Sequence, residues 1–436
     1  MRKWIEFKTT DINSLHKQLV RMSSGFKEAI ILGDCYEHPE RWYKKLGNFN
    51  LLAGYGALDS YSGSLDGLQD SLPKDDWYFG YLSYDLKSEI HSHDMPKAEA
   101  LVQFDSLRFF RPEWLVIADK ASCRLGYDPN KSDISKAQEF LAELKKTAVL
   151  KAGLQKAIDL QASISEEEYN ADIQNIQNHI QRGELYEMNY CMEFVAHNAT
   201  INPQQTFIRL IDQSPMPFCA FVKQDKLYAL SASPERYLTK RVSRLYSMPM
   251  KGTASRGKNS TEEKANRRLL TESDKERAEN IMICDLLRND LAMVASKSTV
   301  KVEELCGIYS FPRVFQLVST ISAELDDSKG LKEIIGATFP MGSMTGAPKI
   351  SALEIIGKYE KRKRGLYSGA IGYISPEKDF DFNVVIRTLL YDENKGSLSY
   401  TAGSAITALS EVGQEYKECL LKAEIMRNIL AENNNI

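Results

Sequence analysis

The sequence predicts an α+β protein in which large, mostly antiparallel β-sheets carry helices packed on the outside. Strand-forming residues are concentrated in short runs such as Trp77–Tyr84. The segment Phe380–Leu390 alternates apolar and polar side chains, which is the period of a strand with one buried face. Helical periodicity is found instead at Ser132–Lys146 and Val412–Leu430.

The N-terminal part of the chain, residues 1–150, is predicted to form a region of its own. Short apolar runs alternate with turns over most of it, and Ser132–Lys146 places five apolar residues, beginning with Ile134, on one helical face. The polar stretch from about 146 to 165 is the best candidate for a boundary. Residues 165–432 would then form the second region.

This second region is predicted to begin with a capped helix. Ser165 and Glu168 fit a capping box, in which each side chain satisfies a backbone NH group of the other residue. A long polar helix is predicted over Thr261–Ala292. Strands are predicted at Tyr186–Val195, Phe218–Val222 and Leu227–Ala232.

Charge and hydropathy exclude several classes of partner. The formal net charge of −3 provides no basic field that would gather nucleic acid. The one dense basic run, Lys361–Arg364, is interpreted as a solvated turn. No stretch approaches the ~18 apolar residues of a membrane helix, and the first residues lack a signal-peptide core. We therefore expect neither a nucleic-acid partner nor a membrane.

The cysteines and histidines limit the kinds of catalytic and metal site that the chain can form. Seven cysteines without a CxxC pair favour reduced thiols in a cytoplasmic protein over disulfides or a zinc site. All six histidines lie at or before His197. Chemistry in the second half would therefore use lysine, carboxylates, tyrosine or a hard metal, which argues against a serine–histidine hydrolase.

Two predicted helices each carry a pair of glutamates three residues apart. Glu276 and Glu279 form one pair, and Glu415 and Glu418 form the other. This spacing puts both carboxylates of a pair on one helical face. Two such faces would make an oxygen-lined site suited to Mg²⁺, although exposed helices also carry such pairs without any function.

Two basic residues admit either a functional or a structural interpretation. Arg387 lies on the polar face of a predicted strand, where it either binds a substrate carboxylate or pairs with an acid such as Asp381. Lys251, between Met250 and Gly252, is either a surface lysine or a partly desolvated amine. Burial would favour the neutral, nucleophilic form of that amine.

Two glycine-containing segments are candidates for binding anions through backbone NH groups. Gly342–Lys349 leads into a helix predicted to start at Ile350, and free NH groups at a helix start attract anions. Ala402–Ala405 is predicted to end a strand with small residues, which allow close approach of a ligand. A capped turn and a tight strand end would explain the same residues.

Taken together, these segments resemble the motifs of the chorismate-utilising enzyme family, which includes anthranilate, aminodeoxychorismate, isochorismate and salicylate synthases. The match covers about residues 165 to 432 in the family's order, and Gly80–Asp85 is the clearest piece before it. It implies an anthranilate synthase component I-like fold. The matching motifs are Ser233–Arg236, Pro249–Thr253, Lys275–Glu279, Asp285–Leu291, Thr345–Lys349, Arg364–Ala370, Ile386–Thr388 and Glu415–Cys419.

The resemblance implies a magnesium site. Glu279 and Glu418 match the family's magnesium ligands, with Glu276 and Glu415 beside them. Mg²⁺ would hold the ring carboxylate of chorismate and stabilise charge as the C4 hydroxyl leaves.

The resemblance also implies residues that bind the substrate. Tyr367 and Arg387 match the residues that hold the enolpyruvyl carboxylate, and Gly403 matches the backbone cradle for the ring carboxylate. Ser343 matches a small hydroxyl residue of the active site, and Thr253 comes from the motif of the family's catalytic lysine.

Lys251 distinguishes branches of the family. Anthranilate synthases typically have alanine at this position, whereas aminodeoxychorismate synthases typically have lysine. In that branch the lysine adds at C2 of chorismate and displaces the C4 hydroxyl, after which ammonia adds at C4 and expels the lysine. Glu235 matches the general acid for the departing hydroxyl, and this role requires a pKa raised by burial.

Three positions depart from the family's pattern. Gln316 stands where most relatives have histidine, so an ionic role there is in doubt. Glu187 replaces the glutamine of amine-using members and the water-activating lysine of isochorismate and salicylate synthases. Ala405 replaces a usual second glycine, which would tighten the carboxylate cradle.

The function implied is synthesis of 4-amino-4-deoxychorismate from chorismate and ammonia. The sequence shows no segment with a nucleophilic cysteine and partner histidine, so we expect ammonia from a separate glutamine amidotransferase subunit. An anthranilate synthase large subunit is the first alternative. A non-catalytic subunit that binds chorismate or an amino acid is the second, because the N-terminal half of relatives can hold tryptophan.

Overall fold

The computed structural model describes the chain except for residues 1, 10, 37–39, 48, 73–74, 92–94, 120–121, 147–156 and 432–436. The first ten strands are β1 (Lys3–Phe7), β2 (Glu28–Gly33), β3 (Leu51–Ser62), β4 (Tyr78–Leu82), β5 (Leu107–Ala118), β6 (Cys123–Tyr127), β7 (Gln161–Ala162), β8 (Glu187–Ala196), β9 (Phe218–Gln224) and β10 (Leu227–Ser233). The others are β11 (Arg236–Arg241), β12 (Arg244–Met248), β13 (Met250–Ser255), β14 (Lys301–Ser310), β15 (Val314–Glu324), β16 (Gly346–Ala347), β17 (Ala370–Ile374), β18 (Phe380–Asn383), β19 (Thr388–Asp392) and β20 (Ser397–Thr407).

Helices cover the sheet. The α-helices are α1 (Ile12–Met22), α2 (Arg41–Leu46), α3 (Leu65–Ser71), α4 (Lys87–Ile90), α5 (Ile134–Lys146), α6 (Glu166–Gln181), α7 (Pro203–Gln213), α8 (Ser260–Glu272), α9 (Asp274–Ala292), α10 (Leu331–Thr338), α11 (Lys349–Tyr359) and α12 (Val412–Ala431). Short 3₁₀ turns occupy Ser23–Gly25, Tyr84–Leu86 and Gly342–Met344. Among the described residues, no helix has the length and apolar character needed to cross a membrane.

Every pairing between the named strands is antiparallel, which confirms the predicted α+β class. Strand β5 connects two arms. One arm runs β6–β5–β3–β2–β9–β10–β19–β20–β8. The other runs β5–β4–β17–β18–β11–β12–β15, with β13 and β14 also on β15.

Two hydrophobic cores result from the alternation of side chains along the strands. In β2, Ala29 and Ile31 belong to one core and Ile30 to the other. The first core lies beneath the helices and includes residues such as Leu19, Phe140, Ile173, Phe207 and Met426. The second lies between the two arms of the sheet and includes Phe79, Phe109, Leu238, Phe382 and, from α9, Leu287.

Strands from both predicted regions hydrogen-bond to each other. Strand β2 pairs with β9, and β4 pairs with β17. The boundary predicted between 146 and 165 falls largely on residues 147–156, outside the described residues. The division into 1–150 and 165–432 therefore stays a prediction. The capping box between Ser165 and Glu168 is confirmed.

The single strand predicted over Phe380–Leu390 is wrong. Strand β18 ends at Asn383, and Val384 and Val385 are both buried, so the alternation stops there. Arg387 then adopts a φ of 51°. That left-handed conformation cannot continue a strand, and β19 begins only at the next residue.

The long helix predicted over Thr261–Ala292 is two helices, α8 and α9. Ser273 separates them, and its hydroxyl accepts a hydrogen bond from the Glu276 NH group at 3.3 Å. This N-cap satisfies one of the free NH groups at the start of α9. It places the glutamates of α9 in the first turns of a helix.

Two smaller expectations were also wrong. Ile134 is 59% exposed, so only the other four apolar residues of the predicted face pack inward. The basic run ends in Arg364, which is buried against Glu360 and not solvated. Basic composition alone does not reveal a buried counter-ion.

Candidate active site

Lys251 and Glu187 form an ion pair that lies at the centre of the candidate site. The Lys251 Nζ atom is 2.7 Å from Glu187 Oε1, and the two side chains are 13% and 2% exposed. Lys251 is the second residue of β13, and Glu187 is the first residue of β8. Among the described residues, no group hydrogen-bonds to the buried Glu187 Oε2 atom.

The charge state of Lys251 differs from the expected neutral amine. Burial, the largest single influence, lowers the pKa of Lys251, but the charge and hydrogen bond of Glu187 together with the charges of Glu279 and Glu235 outweigh it. The net result is a raised pKa. The ammonium form is therefore favoured in this arrangement, and a proton must leave before the amine can act as a nucleophile.

Glu235 has the environment of a general acid. It lies between β10 and β11 and is 5% exposed. Burial raises the pKa of Glu235 to about 7, although a hydrogen bond from Ser343 and the charge of Lys251 act in the opposite direction. Glu235 can therefore keep a proton near neutral pH. The structure thus brings Ser343, Glu235 and Lys251 together.

The first glutamate pair, Glu276 and Glu279, lies beside this group. A Cβ atom on Gly252, which has a φ of +91°, would lie 3.1 Å from Glu276 Oε2. Burial raises the pKa of Glu279 to about 7; Lys251 opposes this shift, while Glu187 and Glu276 add to it. Glu187, Glu279 and Glu235 thus surround Lys251 and favour its charged form.

The second glutamate pair lies at the start of α12. Glu415 is buried and accepts a hydrogen bond from the Ser404 hydroxyl. Glu418 is exposed and pairs at 2.6 Å with Lys422, whose amine also donates to the Gly403 carbonyl at 2.8 Å. In the part of the chain that the structure describes, no three acidic, histidine or cysteine residues form a group that could hold a metal ion.

Gly403 allows close packing against β8. It lies inside β20 and not at a strand end, which corrects the prediction for Ala402–Ala405. A Cβ atom on Gly403 would approach the Asn189 side chain to 2.7 Å and Cys191 Sγ to 3.0 Å. Cys191 also lies 3.9 Å from the hydroxyl of the buried Tyr367. Gly403 and Tyr367 thus both lie beside Cys191.

Arg387 has no carboxylate partner within the described ranges. Its guanidinium lies 3.7 Å from Met216 Sδ, and burial lowers the pKa of Arg387. Asp381, the alternative partner, is held by Arg236 and Arg241 at 2.8 Å each. The structural alternative of an Arg387–Asp381 pair is therefore wrong, and the guanidinium is available to an anion.

Thr253 and Gln316 form a separate contact on the surface. Thr253 is exposed, and its hydroxyl accepts a hydrogen bond from Gln316 Nε2 at 3.1 Å. Gln316 therefore acts as a neutral hydrogen-bond donor at the position where most relatives have histidine.

Arg364 is a residue that sequence reasoning missed. Its guanidinium donates to the carbonyl oxygens of Met344 at 2.7 Å and Asn189 at 2.9 Å, and to the Ser368 hydroxyl at 3.1 Å. It thereby ties together the segments that carry Ser343, Tyr367 and the Gly403 contact. Its spacing of four residues from Glu360 was the available signal.

A cavity of about 300 Å³ lies apart from these residues, between the two arms of the sheet. It is distinct from the Lys251 site, because none of the predicted site residues lines it. Its lining includes Asp34, Tyr43, Lys44, Phe218, Arg236, Tyr373 and Asp381.

The model of the chorismate binding enzymes matches residues 56–428. This chain belongs to the chorismate binding enzyme family. The match includes the predicted site residues on both glutamate helices, together with Lys251 and Glu235.

Similar members of the chorismate binding enzyme family are aminodeoxychorismate synthases. Component 1 from Bacillus subtilis is 30% identical over 362 residues, covering 80% of this chain and 76% of that protein. Component 1 from Klebsiella aerogenes is 33% identical over 342 residues, covering 78% and 74%. The probable chloroplastic enzyme of Oryza sativa subsp. japonica is 38% identical over 271 residues, but the chain matches only 30% of its length.

Solved structures show the same fold. Anthranilate synthase component I from Streptococcus pneumoniae superimposes with a TM-score of 0.76 at 23% identity, covering 86% of this chain and 91% of that one. The menaquinone-specific isochorismate synthase MenF from Escherichia coli gives 0.79 at 18% identity, covering 99% and 94%. The predicted anthranilate synthase component I-like fold is thereby confirmed.

Proposed function

We propose that this chain is the component of an aminodeoxychorismate synthase that converts chorismate and ammonia to 4-amino-4-deoxychorismate, toward 4-aminobenzoate and folate. The observation that carries the proposal is the grouping of Lys251 with Glu235. The first is a nucleophile of the kind that distinguishes this branch of the family. The second is a buried acid whose pKa of about 7 suits proton donation at neutral pH.

The residues would act in two steps. After transferring a proton to solvent, Lys251 Nζ forms a bond to C2 of chorismate; the conjugated double bonds shift and the C4–O bond breaks. Glu235 donates its proton to the leaving oxygen, so that water departs. Ammonia then forms a bond to C4, the double bonds shift back, and Lys251 leaves with its electron pair.

Substrate binding would be divided between the two carboxylates of chorismate. Arg387 and Tyr367 would hold the enolpyruvyl carboxylate, because the guanidinium has no carboxylate partner among the described residues. The backbone at Gly403 would face the ring carboxylate, as the family resemblance implies, while the absence of a side chain there leaves room for Asn189. Ser343 is placed to orient Glu235, and Thr253 would contact substrate only from the exposed edge.

The glutamate oxygens are of the type that suits a magnesium ion, although no three of them form one group among the described residues. Glu276 and Glu279 offer hard oxygen ligands, and a cation would relieve the carboxylate crowding that contributes to the raised pKa of Glu279. Glu415 and Glu418 would complete the set from α12. When bound, Mg²⁺ would hold the ring carboxylate and neutralise charge that develops as the C4 hydroxyl leaves.

Ammonia would come from a separate glutamine amidotransferase subunit. The names of the bacterial relatives, component 1, fit an enzyme with a second component. We also propose a cytoplasmic location, since all seven cysteines are free thiols, as in a reducing compartment. Glutamine hydrolysis by the purified chain alone would contradict the need for a partner.

The test is incubation of the purified chain with chorismate, Mg²⁺ and concentrated ammonium, with products separated and identified by mass. We expect 4-amino-4-deoxychorismate, which an added lyase converts to 4-aminobenzoate. Anthranilate as the main product would overturn the proposal in favour of the sister activity. In that assay Lys251→Ala should move the product toward amination at C2.

The cavity supports a second proposal, that the chain also binds a free amino acid such as tryptophan. About 300 Å³ is at the lower end of the range for ligand pockets. Aromatic rings of Phe218 and Tyr373 line it together with Asp34, whose carboxylate could face an amine, and with Arg236, which is paired with Asp381. Calorimetry with tryptophan would test it, and Phe218→Ala should abolish the binding heat.

A further inference from the structure

We infer that Glu187 is a positioning residue that holds the Lys251 amine in line for attack on the substrate. The inference rests on the proposed function, because it assigns a second residue to the same step. It begins from the 2.7 Å contact between Lys251 Nζ and Glu187 Oε1. Among the described residues, this is the one carboxylate within ion-pair distance of that amine.

The backbone of Glu187 is fixed from two sides. It pairs with Ala347 of β16 and with Thr407 of β20. Gly346 has a φ of +153°, and a Cβ atom there would lie 2.1 Å from the Glu187 carbonyl oxygen. The strands around Glu187 are thus packed too closely to shift, so its carboxylate starts from a rigid position.

Lys251 needs such an anchor because its side chain is long. A lysine side chain loses conformational entropy when it is held in one arrangement. Glu235 and Glu279 influence its charge but make no ion pair with it inside 4.0 Å. Glu187 therefore determines where the amine lies when substrate arrives.

The Glu187 carboxylate binds no side chain other than Lys251 within the described part of the chain. Its Oε1 atom accepts from Lys251, while its buried Oε2 atom has no hydrogen-bond partner there. Lys251 is therefore the one side chain that this carboxylate binds among the described residues.

The amide of glutamine, which amine-using members of the family usually have here, offers the same acceptor oxygen. Positioning therefore requires an acceptor at this point and not a negative charge. Glu187→Gln should preserve it, and Glu187→Ala should remove it. Glu193, on the same strand and the same face, supplies a matched control, because its carboxylate accepts instead from Ser399.

The experiment measures kcat and KM for chorismate at saturating ammonium in wild type, Glu187→Gln, Glu187→Ala and Glu193→Ala. We expect Glu187→Ala to lower kcat at least tenfold with KM changed less than twofold. Glu187→Gln should stay within about threefold of wild type, and Glu193→Ala should leave both constants unchanged. Unfolding midpoints in urea identify any variant that loses activity by failing to fold.

Two results would overturn the inference: a Glu187→Ala enzyme with wild-type kcat, or equal losses in Glu187→Ala and Glu187→Gln. If wild type yields no aminated product, the proposed function fails first. In that case the rate at which trinitrobenzenesulfonate labels Lys251, followed by mass spectrometry, tests the contact independently. Glu187→Ala should then change the labelling of Lys251 but not that of the exposed Lys258, and unchanged labelling would also overturn the inference.

Discussion

Two buried ion pairs attach to β8, and they differ in how completely their hydrogen bonds are made. Arg364 uses all three nitrogens, and Glu360 accepts from Arg364 and from the Cys191 NH group. Lys251 and Glu187 share one contact, and one oxygen of Glu187 has no partner among the described residues. The two pairs are therefore alike in charge and burial, but they differ in how many of their polar atoms have a hydrogen-bond partner.

This difference suggests that the Arg364–Glu360 pair stabilises the fold, whereas the Lys251–Glu187 pair takes part in the reaction. A fully satisfied buried network holds its neighbours in one arrangement, here the segments that carry Ser343, Tyr367 and Gly403. A partly satisfied pair keeps bonding capacity for a ligand or a moving proton. The five predictions that follow test this contrast and the groups around it, from the largest expected effect to the smallest.

The largest effect should come from removing the satisfied pair. Arg364→Met combined with Glu360→Met leaves the carbonyl groups of Met344 and Asn189 and the NH group of Cys191 without their partners. Each buried orphan costs about 1–3 kcal/mol, so we expect the free energy of unfolding to fall by at least about 3 kcal/mol. Urea denaturation followed by circular dichroism measures it, and wild-type stability would refute the scaffold role.

The same replacement at the other pair should leave the fold intact. Lys251→Met with Glu187→Met removes both charges and leaves no other group without a hydrogen-bond partner, and such replacements are often neutral or stabilising. We expect an unfolding midpoint at or above that of wild type and a loss of at least about 100-fold in amination rate. A marked loss of stability would mean that this pair is structural too.

Glu235 should impose a pH dependence on the reaction. As a general acid with a pKa of about 7, it loses its proton as pH rises, so kcat should fall about tenfold per pH unit above that value. Glu235→Gln should be slower by about 10²–10⁴-fold and should lack this decline. Because Glu279 also has a pKa of about 7, Glu279→Gln serves as the comparison.

The stability of the folded protein should also depend on the protonation of Glu235. The pKa of Glu235 is raised in the folded state, so its contribution is present below the unfolded value near 4.5 and is lost as pH rises through about 7. Melting temperatures at pH 5 and pH 8 should therefore differ more in wild type than in Glu235→Gln. Equal differences would show that Glu235 does not titrate there.

The smallest effect should come from Arg387→Gln. No carboxylate among the described residues depends on Arg387, so stability should change by less than about 0.5 kcal/mol, while KM for chorismate should rise about tenfold. Thr253→Val, at an exposed position, is the control and should change KM less than twofold. An unchanged KM in Arg387→Gln would remove it from the substrate site.

Much of the fold follows from local patterns. The capping box at Ser165 and the helix α12 were predictable because side chains close in sequence determine them. The break at Arg387 was not, because Phe382, Val384 and Ile386 keep the spacing of a strand in the sequence, and only the backbone φ of 51° at Arg387 shows the turn. Likewise Ser273 divides a continuous polar run by capping α9.

The sequence by itself determined which chemical groups are available: one lysine in a distinctive motif, an acid at Glu235 and two glutamate pairs. Only the tertiary structure decided their charge and partners. Glu187 reaches Lys251 because β8 and β13 are brought together by long-range strand pairing, and that contact raises the pKa of the amine. Burial and proximity depend on where distant segments cross, and residue type specifies neither.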